Sequence, residues 1–386
     1  MKKKVTILGA GISGLATAYW LQKDGYDVYV IEQKGEAGGT METFFQEKFL
    51  IDYGPNSGLE TTPLIRKLAD EIGIADEMIY ANESSNKRYI LKHDELHPLP
   101  TSPRAFLKTK LFSTKAKFRV IAEPFIGKSN DGYYQSIAQF VKRRLGQEFL
   151  DYAIDPFVSG VFAGDPEKLS VKSAFPKLYR LEEIYGGLVK GMIKGARERK
   201  KRAEQSKQNA KMFSFKSGMQ SFPKAIEQKM NNKIYFNCSV TNVKRNDFGW
   251  IIEYQKDNNT FDMNSDIVIS TLPVDSAATV FYNLDKEFQK HSSEIYYPPV
   301  MVLYLGFKKK DIGQTLDGFG FLIPSKEKRS FLGAIWNSVI FPNRCDENMA
   351  AFTLFIGGAR TPNLFEIEKE KLFNQVIHEF KSIMKI

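Results

Sequence analysis

Three glycines near the start of the chain have a spacing that suits a dinucleotide. Gly9, Gly11 and Gly14 form a Gly-x-Gly-x-x-Gly pattern, with Ile12 and Ser13 between the last two. Gly9 permits a tight turn, Gly11 lets a pyrophosphate approach the backbone, and Gly14 lets a helix pack closely on a strand. A helix that begins in this turn presents unpaired N–H groups and a partial positive charge to phosphates. The spacing therefore predicts dinucleotide binding.

The residues around this turn supply the elements that would hold it. An apolar run at residues 5–8 predicts a strand, residues 15–23 predict a helix, and residues 28–31 predict a second strand that leads into Glu32. Glu32 lies 18 residues after the last glycine of the turn (32 − 14), where a carboxylate can bind the two hydroxyls of a ribose. An ordinary glycine-rich turn is the alternative, but the complete strand, helix, strand and acid favour a nucleotide cofactor.

A second glycine pair favours a flavin over a nicotinamide cofactor. Gly38, Gly39 and Thr40 follow Glu32 closely and resemble an extension of two-domain flavoproteins that touches the pyrophosphate or ribitol of FAD. A later segment resembles the next FAD-contacting loop of the same proteins and consists of Gly54, Pro55, Asn56 and Ser57. Two ordinary turns are the alternative. We interpret both segments as contacts of an embedded FAD.

The composition limits the chemistry that side chains alone could perform. Cys238 and Cys345 have neither a disulfide pattern nor metal-ligand spacing, and the four histidines are scattered. Redox chemistry would therefore have to come from a bound cofactor. A length of 386 residues suits two domains. No apolar run approaches the ~18 residues of a membrane span and no secretory leader precedes the first strand, so we expect a cytoplasmic protein.

The net charge of +10 favours anionic partners. Basic residues concentrate at residues 194–216, a polar stretch that we interpret as a solvated helix end and loop. A peripheral contact with the inner face of a membrane is the alternative for this stretch. No aromatic residue stands between residues 194 and 211, which argues against nucleic-acid binding.

The rest of the chain alternates helical and strand patterns. Helices are predicted at residues 63–72, 133–145, 148–154 and 367–384. Strands are predicted at residues 88–91, 233–236, 250–254 and 266–270, and an antiparallel series at residues 300–307, 319–323, 330–336 and 352–356. These patterns predict an α/β fold in which a nucleotide-binding domain is interrupted by a second domain, with an antiparallel sheet over a pocket.

A block at residues 155–170 is more specific than the glycine turn. It reads Asp-Pro-Phe-Val-Ser-Gly-Val-Phe-Ala-Gly-Asp-Pro-Glu-Lys-Leu-Ser and resembles the signature of the protoporphyrinogen oxidase family of heme biosynthesis. Further segments agree with that family in the same order, at residues 86–89, 99–103, 123–125, 213–220, 341–344 and 355–358. The resemblance extends over the whole sequence.

This resemblance implies a fold and a reaction. The implied fold has a Rossmann-like FAD domain of the amine-oxidase type at residues 1–85 and 213–275, a helical, membrane-facing insertion at 86–212, and a substrate-domain sheet with a closing helix at 276–386. The implied reaction removes six electrons from a porphyrinogen in three flavin cycles. Each cycle passes two electrons to dioxygen and releases hydrogen peroxide.

The resemblance also implies the residues of a substrate site. A porphyrinogen is a large apolar ring with carboxylates on its rim, so its site needs apolar walls and one or two fixed cations. Arg88 matches an arginine that pairs with a propionate, and Leu322 and Ile335 match two aliphatic residues that enclose one ring. Phe355 matches an aromatic residue that stacks on the macrocycle, and the carbonyl of Gly160 matches the group that orients the pyrrole nitrogens. Judged alone, the arginine could be a surface residue and the three large apolar residues could be core.

The same resemblance extends the cofactor site. Gln33 is assigned to it beside Glu32, and Val240 and Thr271 match backbone contacts to the adenine end of FAD. The family pattern continues beyond Ile386 with a late flavin-contacting motif. We therefore expect this C-terminally incomplete chain to bind FAD weakly and to be unstable or weakly active by itself.

Several alternatives stay open at this point. With one candidate cation near the pocket, protoporphyrinogen IX is favoured over coproporphyrinogen III, whose rim carries more carboxylates. An amine oxidase or a polyene desaturase would share the cofactor motifs, and a solvent-facing Arg88 would favour these two. A porphyrin-binding remnant without catalysis is the non-enzymatic alternative, and a homodimer is left open.

Overall fold

The computed structural model describes residues 2–129, 135–201, 210–231 and 233–386, in which helices and strands alternate. The strands are β1 (Lys4–Leu8), β2 (Asp27–Ile31), β3 (Thr43–Gln46), β4 (Phe49–Asp52), β5 (Gly58–Leu59), β6 (Met78–Tyr80), β7 (Arg88–Lys92), β8 (Glu95–Pro98), β9 (Met212–Phe215), β10 (Ile234–Tyr235), β11 (Ser239–Asn246), β12 (Gly249–Lys256), β13 (Asn259–Ser265), β14 (Ile267–Ser270), β15 (Val300–Lys308), β16 (Gly320–Leu322), β17 (Gly333–Ile335) and β18 (Met349–Gly357). The α-helices are α1 (Ile12–Lys23), α2 (Pro63–Ile72), α3 (Pro103–Lys108), α4 (Thr114–Ile121), α5 (Ile137–Leu145), α6 (Gln147–Phe149), α7 (Asp155–Phe162), α8 (Val171–Ala174), α9 (Pro176–Tyr185), α10 (Leu188–Lys201), α11 (Ser221–Gln228), α12 (Val274–Val280), α13 (Lys286–Ser293), α14 (Asn337–Ile340) and α15 (Lys369–Met384). The predicted α/β class is confirmed.

The chain divides into two compact units. Unit 1 consists of Met1–Ala81 and Ala210–Tyr297, and unit 2 consists of Asn82–Asn209 and Pro298–Ile386. The functional domain boundaries inferred from the sequence, at residues 85, 212 and 275, stay predictions.

Unit 1 contains a parallel sheet in the strand order β10-β2-β1-β14. Val5 of β1 pairs with Val28 of β2 on one side and with Ile267 of β14 on the other. The central strand is buried, and Val5 and Ile7 join the core cluster that also contains Leu15 of α1. A parallel sheet is covered on both faces, which explains why every residue of β1 after Lys4 is buried. The four strands predicted at 5–8, 28–31, 233–236 and 266–270 form this sheet.

Smaller elements complete unit 1. The antiparallel sheet β11-β12-β13 contains the strand predicted at 250–254, and the remaining strands form β3-β4 and β5-β9-β6. Helix α2 has the predicted bounds because both of its ends are capped. The Thr62 hydroxyl accepts a hydrogen bond from Leu64 N, and Gly73 adopts a left-handed φ of 82° after the last turn.

Unit 2 contains a six-stranded sheet in the order β15-β18-β17-β16-β7-β8. The strands predicted after residue 300 pair antiparallel, as expected, but β7 joins β16 in parallel, with Gly320 opposite Arg88. Strands β16 and β17 are shorter than predicted. A Cβ at Gly320 would lie 2.0 Å from Ala334 O, and one at Gly333 would lie 2.4 Å from Phe321 O. The two strands therefore pass closer at these glycines than side chains would allow.

One face of this sheet is covered by α15. Leu372, Val376 and Phe380 recur along one side of the helix and are buried in the same core cluster as Phe352 of β18. The predicted terminal helix is thus confirmed. Its apolar residues recur every three to four positions, which places them on the one face that is buried.

The helical part of unit 2 has its own core around α5, α7 and α10. Helix α5 begins with a capping box of Ser136 and Gln139, and residues 133–134 of the helix predicted there lie outside the described residues. The helix predicted at 148–154 continues through a π-helical turn, Leu150–Ile154, directly into α7. The signature block at 155–170 thus starts as a helix.

A buried charge cluster joins the helices of this region. Arg144 is fully buried, and its guanidinium donates to Glu123 at 2.7 Å and to Glu182 at 3.1 Å. The Glu123 carboxylate also accepts from Leu188 N and Val189 N at the start of α10. Buried charges are retained only when they are paired in this way.

The surface of the helical region carries exposed apolar side chains, among them Phe118, Phe125 and Met192. Within the described residues, no helix is both long and apolar enough to cross a membrane. The predicted basic stretch begins in α10, and its central residues 202–209 lie outside the described residues. Peripheral membrane contact and a homodimer stay predictions.

We predict that Arg144→Met lowers the free energy of unfolding by about 3 to 5 kcal/mol, because it leaves Glu123 and Glu182 buried without their main partner. Urea denaturation measures this change. The exposed Arg180→Met, in the same helical region, should change stability by less than about 0.5 kcal/mol.

The pH dependence of stability checks the same cluster. Burial alone would raise the pKa of Glu182, but hydrogen bonds from Arg144 and Arg143 lower it overall. The resulting stabilisation is present above the unfolded pKa of roughly 4.3 and is lost as the pH falls through the lowered folded value. In Arg144→Met, the free energy of unfolding should fall less steeply as the pH is lowered. An unchanged pH dependence would contradict the role assigned to this ion pair.

Candidate cofactor and substrate sites

The glycine-rich turn connects β1 to α1 at the end of the parallel sheet. Gly9 has a left-handed φ of 101°, and its N–H donates to Ile31 O at 2.8 Å. A Cβ at Gly14 would lie only 2.0 Å from Gly9 O, so α1 reaches the turn more closely than any other residue would permit. The N-terminus of α1, with Ile12 and Ser13 in its first turn, is thereby held at the end of the strand.

Gly11 precedes this helix and borders open space. It has no side-chain cap, and a Cβ built on it would meet no atom within 4 Å. The first N–H groups of an α-helix have no partner within the helix and carry partial positive charge. The turn therefore fits a pyrophosphate, as the sequence predicts.

Glu32 lies beside this turn at the end of β2. Its buried carboxylate accepts from Ala10 N at 2.6 Å and from Lys34 N at 2.9 Å. Each carboxylate oxygen has more than one lone pair, so both can still accept a hydroxyl. The arrangement suits the predicted ribose contact, and Gln33 is exposed next to it.

The second glycine pair packs against the first turn. Gly38 N donates to Ala10 O at 3.0 Å, and a Cβ at Gly39 would lie 3.1 Å from Gly11 Cα. The segment predicted as the next loop follows directly. A Cβ at Gly54 would lie 1.8 Å from Thr40 O, which places the start of the Gly54–Pro55–Asn56–Ser57 segment against the Gly38–Gly39–Thr40 loop.

The two predicted adenine-end residues lie at the same end of the sheet. The Thr271 hydroxyl follows β14 and donates to Leu8 O at 2.9 Å. Val240 is half-buried in β11 and packs in the cluster that contains Leu8 and Ile31, the last residues of β1 and β2. The structure thus brings the predicted cofactor residues of unit 1 together around the ends of its central strands.

The five predicted substrate residues meet in unit 2. Arg88, Gly160, Leu322, Ile335 and Phe355 all line one cavity of about 170 Å³. They come from β7, α7, β16, β17 and β18, so the cavity is enclosed between α7 and the sheet. The remaining lining is mainly aromatic and aliphatic and includes Phe157, Val161, Phe319, Phe321 and Leu332.

Helix α7 and β16 are in close contact in the wall of the cavity. A Cβ at Gly160 would lie 2.4 Å from Leu322 Cδ2, so the helix backbone rests on this leucine side chain. Small-molecule sites have volumes of about 300 to 1,000 Å³, which exceed that of the cavity. A large ligand therefore requires lining side chains such as Leu322 to change rotamer.

Arg88 lies at the rim. It is an exposed residue whose guanidinium lies over the Phe319 ring at 5.1 Å and donates to Asn86 O at 3.3 Å. Among the described residues that line the cavity, Arg88 alone carries a formal charge. Among the residues that the structure describes, no carboxylate forms an ion pair with it, so it is available to an anionic group.

Tyr89 is the other polar group of the lining. Burial, followed by its hydrogen bond to Asp317, raises the pKa of its phenol to about 12. The hydroxyl donates to Asp317 at 2.5 Å, and the ring stacks on Trp336. At neutral pH this phenol stays protonated, so it does not serve as a base.

Sequence reasoning missed two parts of this site. The aromatic lining residues Phe157 and Phe319 were not predicted, although the first stands within the 155–170 block. The ion pair between Asp155 and Arg360 was also missed, because these residues are 205 positions apart and no local pattern connects them.

The comparisons with known proteins identify the family of the chain. A family model described as flavin-containing amine oxidoreductase matches residues 12–386. Protoporphyrinogen oxidase 2 of Arabidopsis thaliana is 32% identical over 410 residues, which cover 100% of this chain and 80% of the relative. Coproporphyrinogen III oxidase of Bacillus subtilis is 26% identical, with 100% of this chain and 84% of the relative covered.

A solved structure shows the same fold. A protein of Exiguobacterium sp. 255-15, provisionally named a protoporphyrinogen oxidase, superimposes with a TM-score of 0.81 at 19% identity. The superposition covers 100% of this chain and 84% of that one.

We predict that Gly11→Ala weakens FAD binding by about tenfold or more without changing the fold. The backbone φ of −70° suits alanine and the new methyl group meets no protein atom, so only an approaching pyrophosphate would be obstructed. FAD titration and the apoprotein melting temperature measure the two effects. Gly14→Ala should lower both the FAD affinity and the melting temperature, because its Cβ would clash with Gly9 O.

Gly127→Ala is the matched control, since a Cβ there also meets nothing within 4 Å. It should leave both measurements unchanged. Equal FAD affinity of Gly11→Ala and the wild type would exclude a pyrophosphate contact at Gly11.

Proposed function

Because the chain belongs to the family of flavin-containing amine oxidoreductases, we propose that it oxidises a porphyrinogen and that protoporphyrinogen IX is the substrate. FAD is its cofactor, and the chain is an oxidoreductase. Relatives that are named for protoporphyrinogen and coproporphyrinogen support this substrate class. The observation that carries the proposal is the apolar cavity of unit 2, which is lined by all five family-matched residues and has one cation at its rim.

The cavity wall accounts for the binding of a macrocycle. Phe157, Phe355 and Leu322 supply flat and aliphatic surfaces that a tetrapyrrole can cover, and they exclude water from its carbon atoms. When bound, FAD accepts a hydride from the substrate and passes the electrons to dioxygen. The role of the protein residues is to hold the ring in one orientation and to exclude water from it.

Arg88 would orient the substrate through a carboxylate on its rim. A guanidinium can hold a carboxylate with two parallel hydrogen bonds, and the stacking on Phe319 limits where this guanidinium can lie. Because Arg88 is exposed, the bound carboxylate would remain near water, which avoids the cost of burying a charge.

We propose no catalytic acid or base among the side chains of the cavity. Its charged lining residue is an arginine, and its phenol, Tyr89, is protonated at neutral pH. Proton release from the substrate would then go to water outside the apolar walls. A flavin reaction of this kind needs position and exclusion of water more than a side-chain base.

The number of charges supports protoporphyrinogen over coproporphyrinogen. The latter carries propionates where the former carries vinyl groups, so it places more anionic groups around the ring. A single lining cation and an otherwise apolar wall suit the less charged ring.

An amine substrate is the second candidate, since exposure of Arg88 was expected to favour it. A cationic amine would be repelled by a guanidinium at the rim, and the described lining contains no carboxylate that could pair with an ammonium group. The position of Arg88 over Phe319 at this rim therefore supports the porphyrinogen proposal.

We predict a higher kcat/KM with protoporphyrinogen IX than with coproporphyrinogen III, and no flavin reduction by simple amines. Steady-state fluorescence of the porphyrin products, with oxygen consumption of three O2 per porphyrin, measures the reaction. Faster oxidation of coproporphyrinogen would reverse the substrate assignment, and reduction by amines alone would overturn the substrate class.

We predict that Arg88→Met raises KM for protoporphyrinogen about 10- to 100-fold, because a charge-assisted contact contributes about 1.5 to 3 kcal/mol. FAD affinity should be unchanged. The exposed Arg104→Met makes the same change of net charge in unit 2 outside the cavity and should leave KM unchanged. Equal effects of the two variants would show that Arg88 acts only through net charge.

A further inference from the structure

Asp155 is the first residue of α7, and its charged carboxylate is buried. One guanidinium nitrogen of Arg360 lies 2.6 Å from both of its carboxylate oxygens. Ser325 adds a hydrogen bond from its N–H at 2.8 Å and one from its hydroxyl at 3.0 Å. The side chains of Asp155 and Arg360 are 8% and 12% exposed, so the ion pair is largely shielded from solvent.

The partners of Asp155 lie in segments that follow strands of the sheet lining the cavity. Ser325 follows β16, and Arg360 follows β18. The Arg360 guanidinium also donates to Ile323 O, next to Leu322, at 3.4 Å. The ion pair therefore joins the start of α7 to the ends of two cavity-lining strands.

The other end of α7 is held by the same segment after β18. Ala163 has a left-handed φ of 48° at the helix end, and its carbonyl accepts from Ala359 N at 2.7 Å. A Cβ at Gly358 would lie 2.9 Å from this carbonyl, so the contact requires glycine there. Both ends of α7 are thus attached to residues 358–360.

Between these two attachments, α7 contributes Phe157, Gly160 and Val161 to the cavity. Gly160 rests on the Leu322 side chain, so a small displacement of α7 changes the distance between this helix and β16. Neither Asp155 nor Arg360 lines the cavity. Their influence on a ligand must pass through the position of the helix.

We propose that Asp155 and Arg360 are positioning residues that hold α7 at the width required to clamp the flat macrocycle between the helix and the sheet. This inference rests on the proposed function of the cavity. The attachment is strong because a buried charge that loses its partner is costly, so α7 is favoured where the ion pair forms. The ion pair thus determines how closely a flat ring is held, without touching it.

The test compares KM, kcat per bound flavin and melting temperature of the FAD-loaded protein with protoporphyrinogen IX. Asp155→Asn keeps the shape of the side chain and removes the ion pair, and we expect KM to rise about tenfold or more. Arg360→Met should do the same, whereas Arg360→Lys retains the charge and should recover most of the affinity. FAD content per protein should stay at the wild-type value.

Arg144→Met is the matched control, because it breaks another buried ion pair of unit 2 away from the cavity lining. It should lower the melting temperature while KM stays unchanged. If Asp155→Asn likewise lowers only the melting temperature, the ion pair is merely structural and the inference fails. If the wild type does not oxidise any porphyrinogen, the proposed function fails, and the inference that rests on it fails too.

Discussion

Close backbone contact at glycine is the constraint on which both sites depend. In unit 1, α1 can begin at the end of β1 only because Gly14 leaves room for the carbonyl of Gly9. In unit 2, Gly160 of α7 leaves room for the end of the Leu322 side chain, which a Cβ at this position would displace. In each case a missing side chain lets a helix approach a strand end, and the approach creates the surface that a ligand would meet.

Buried charges hold the elements that these contacts bring together. Glu32 is satisfied by two backbone N–H groups and stays beside the nucleotide turn. Asp155 is satisfied by a guanidinium and a serine, and Glu123 by a guanidinium and two N–H groups. A buried carboxylate without such partners would be strongly destabilising, so each of them restricts how its helix or strand can be placed. Asp155 and Glu123 have structural roles, whereas Glu32 can still accept a ribose hydroxyl and Arg88 is exposed and available to a ligand.

The proposed chemistry of the cavity depends on the chemical groups that line its walls. Its described lining offers apolar surface, one guanidinium and one protonated phenol. Such a lining suits the apolar ring with rim carboxylates that we propose as its ligand. This agrees with a family in which a bound flavin supplies the redox step.

The sequence by itself determined the features that are local. The spacing of Gly9, Gly11 and Gly14, the capped helix α2 and the apolar face of α15 all follow from residues within one or two turns of each other. The resemblance of many segments of the chain to one family pointed to the five substrate residues, which the structure places around one cavity. Their functional roles stay predictions.

Only the tertiary structure decided which distant residues meet. It placed β7 in parallel beside β16, paired Asp155 with Arg360 across 205 positions, and buried Arg144 between Glu123 and Glu182. Periodicity reports which face of an element is buried but not which element covers it, because that choice depends on packing and charge pairing across the whole unit. For the same reason the narrow contact of Gly160 with Leu322 could not be predicted from either residue's neighbours in the chain.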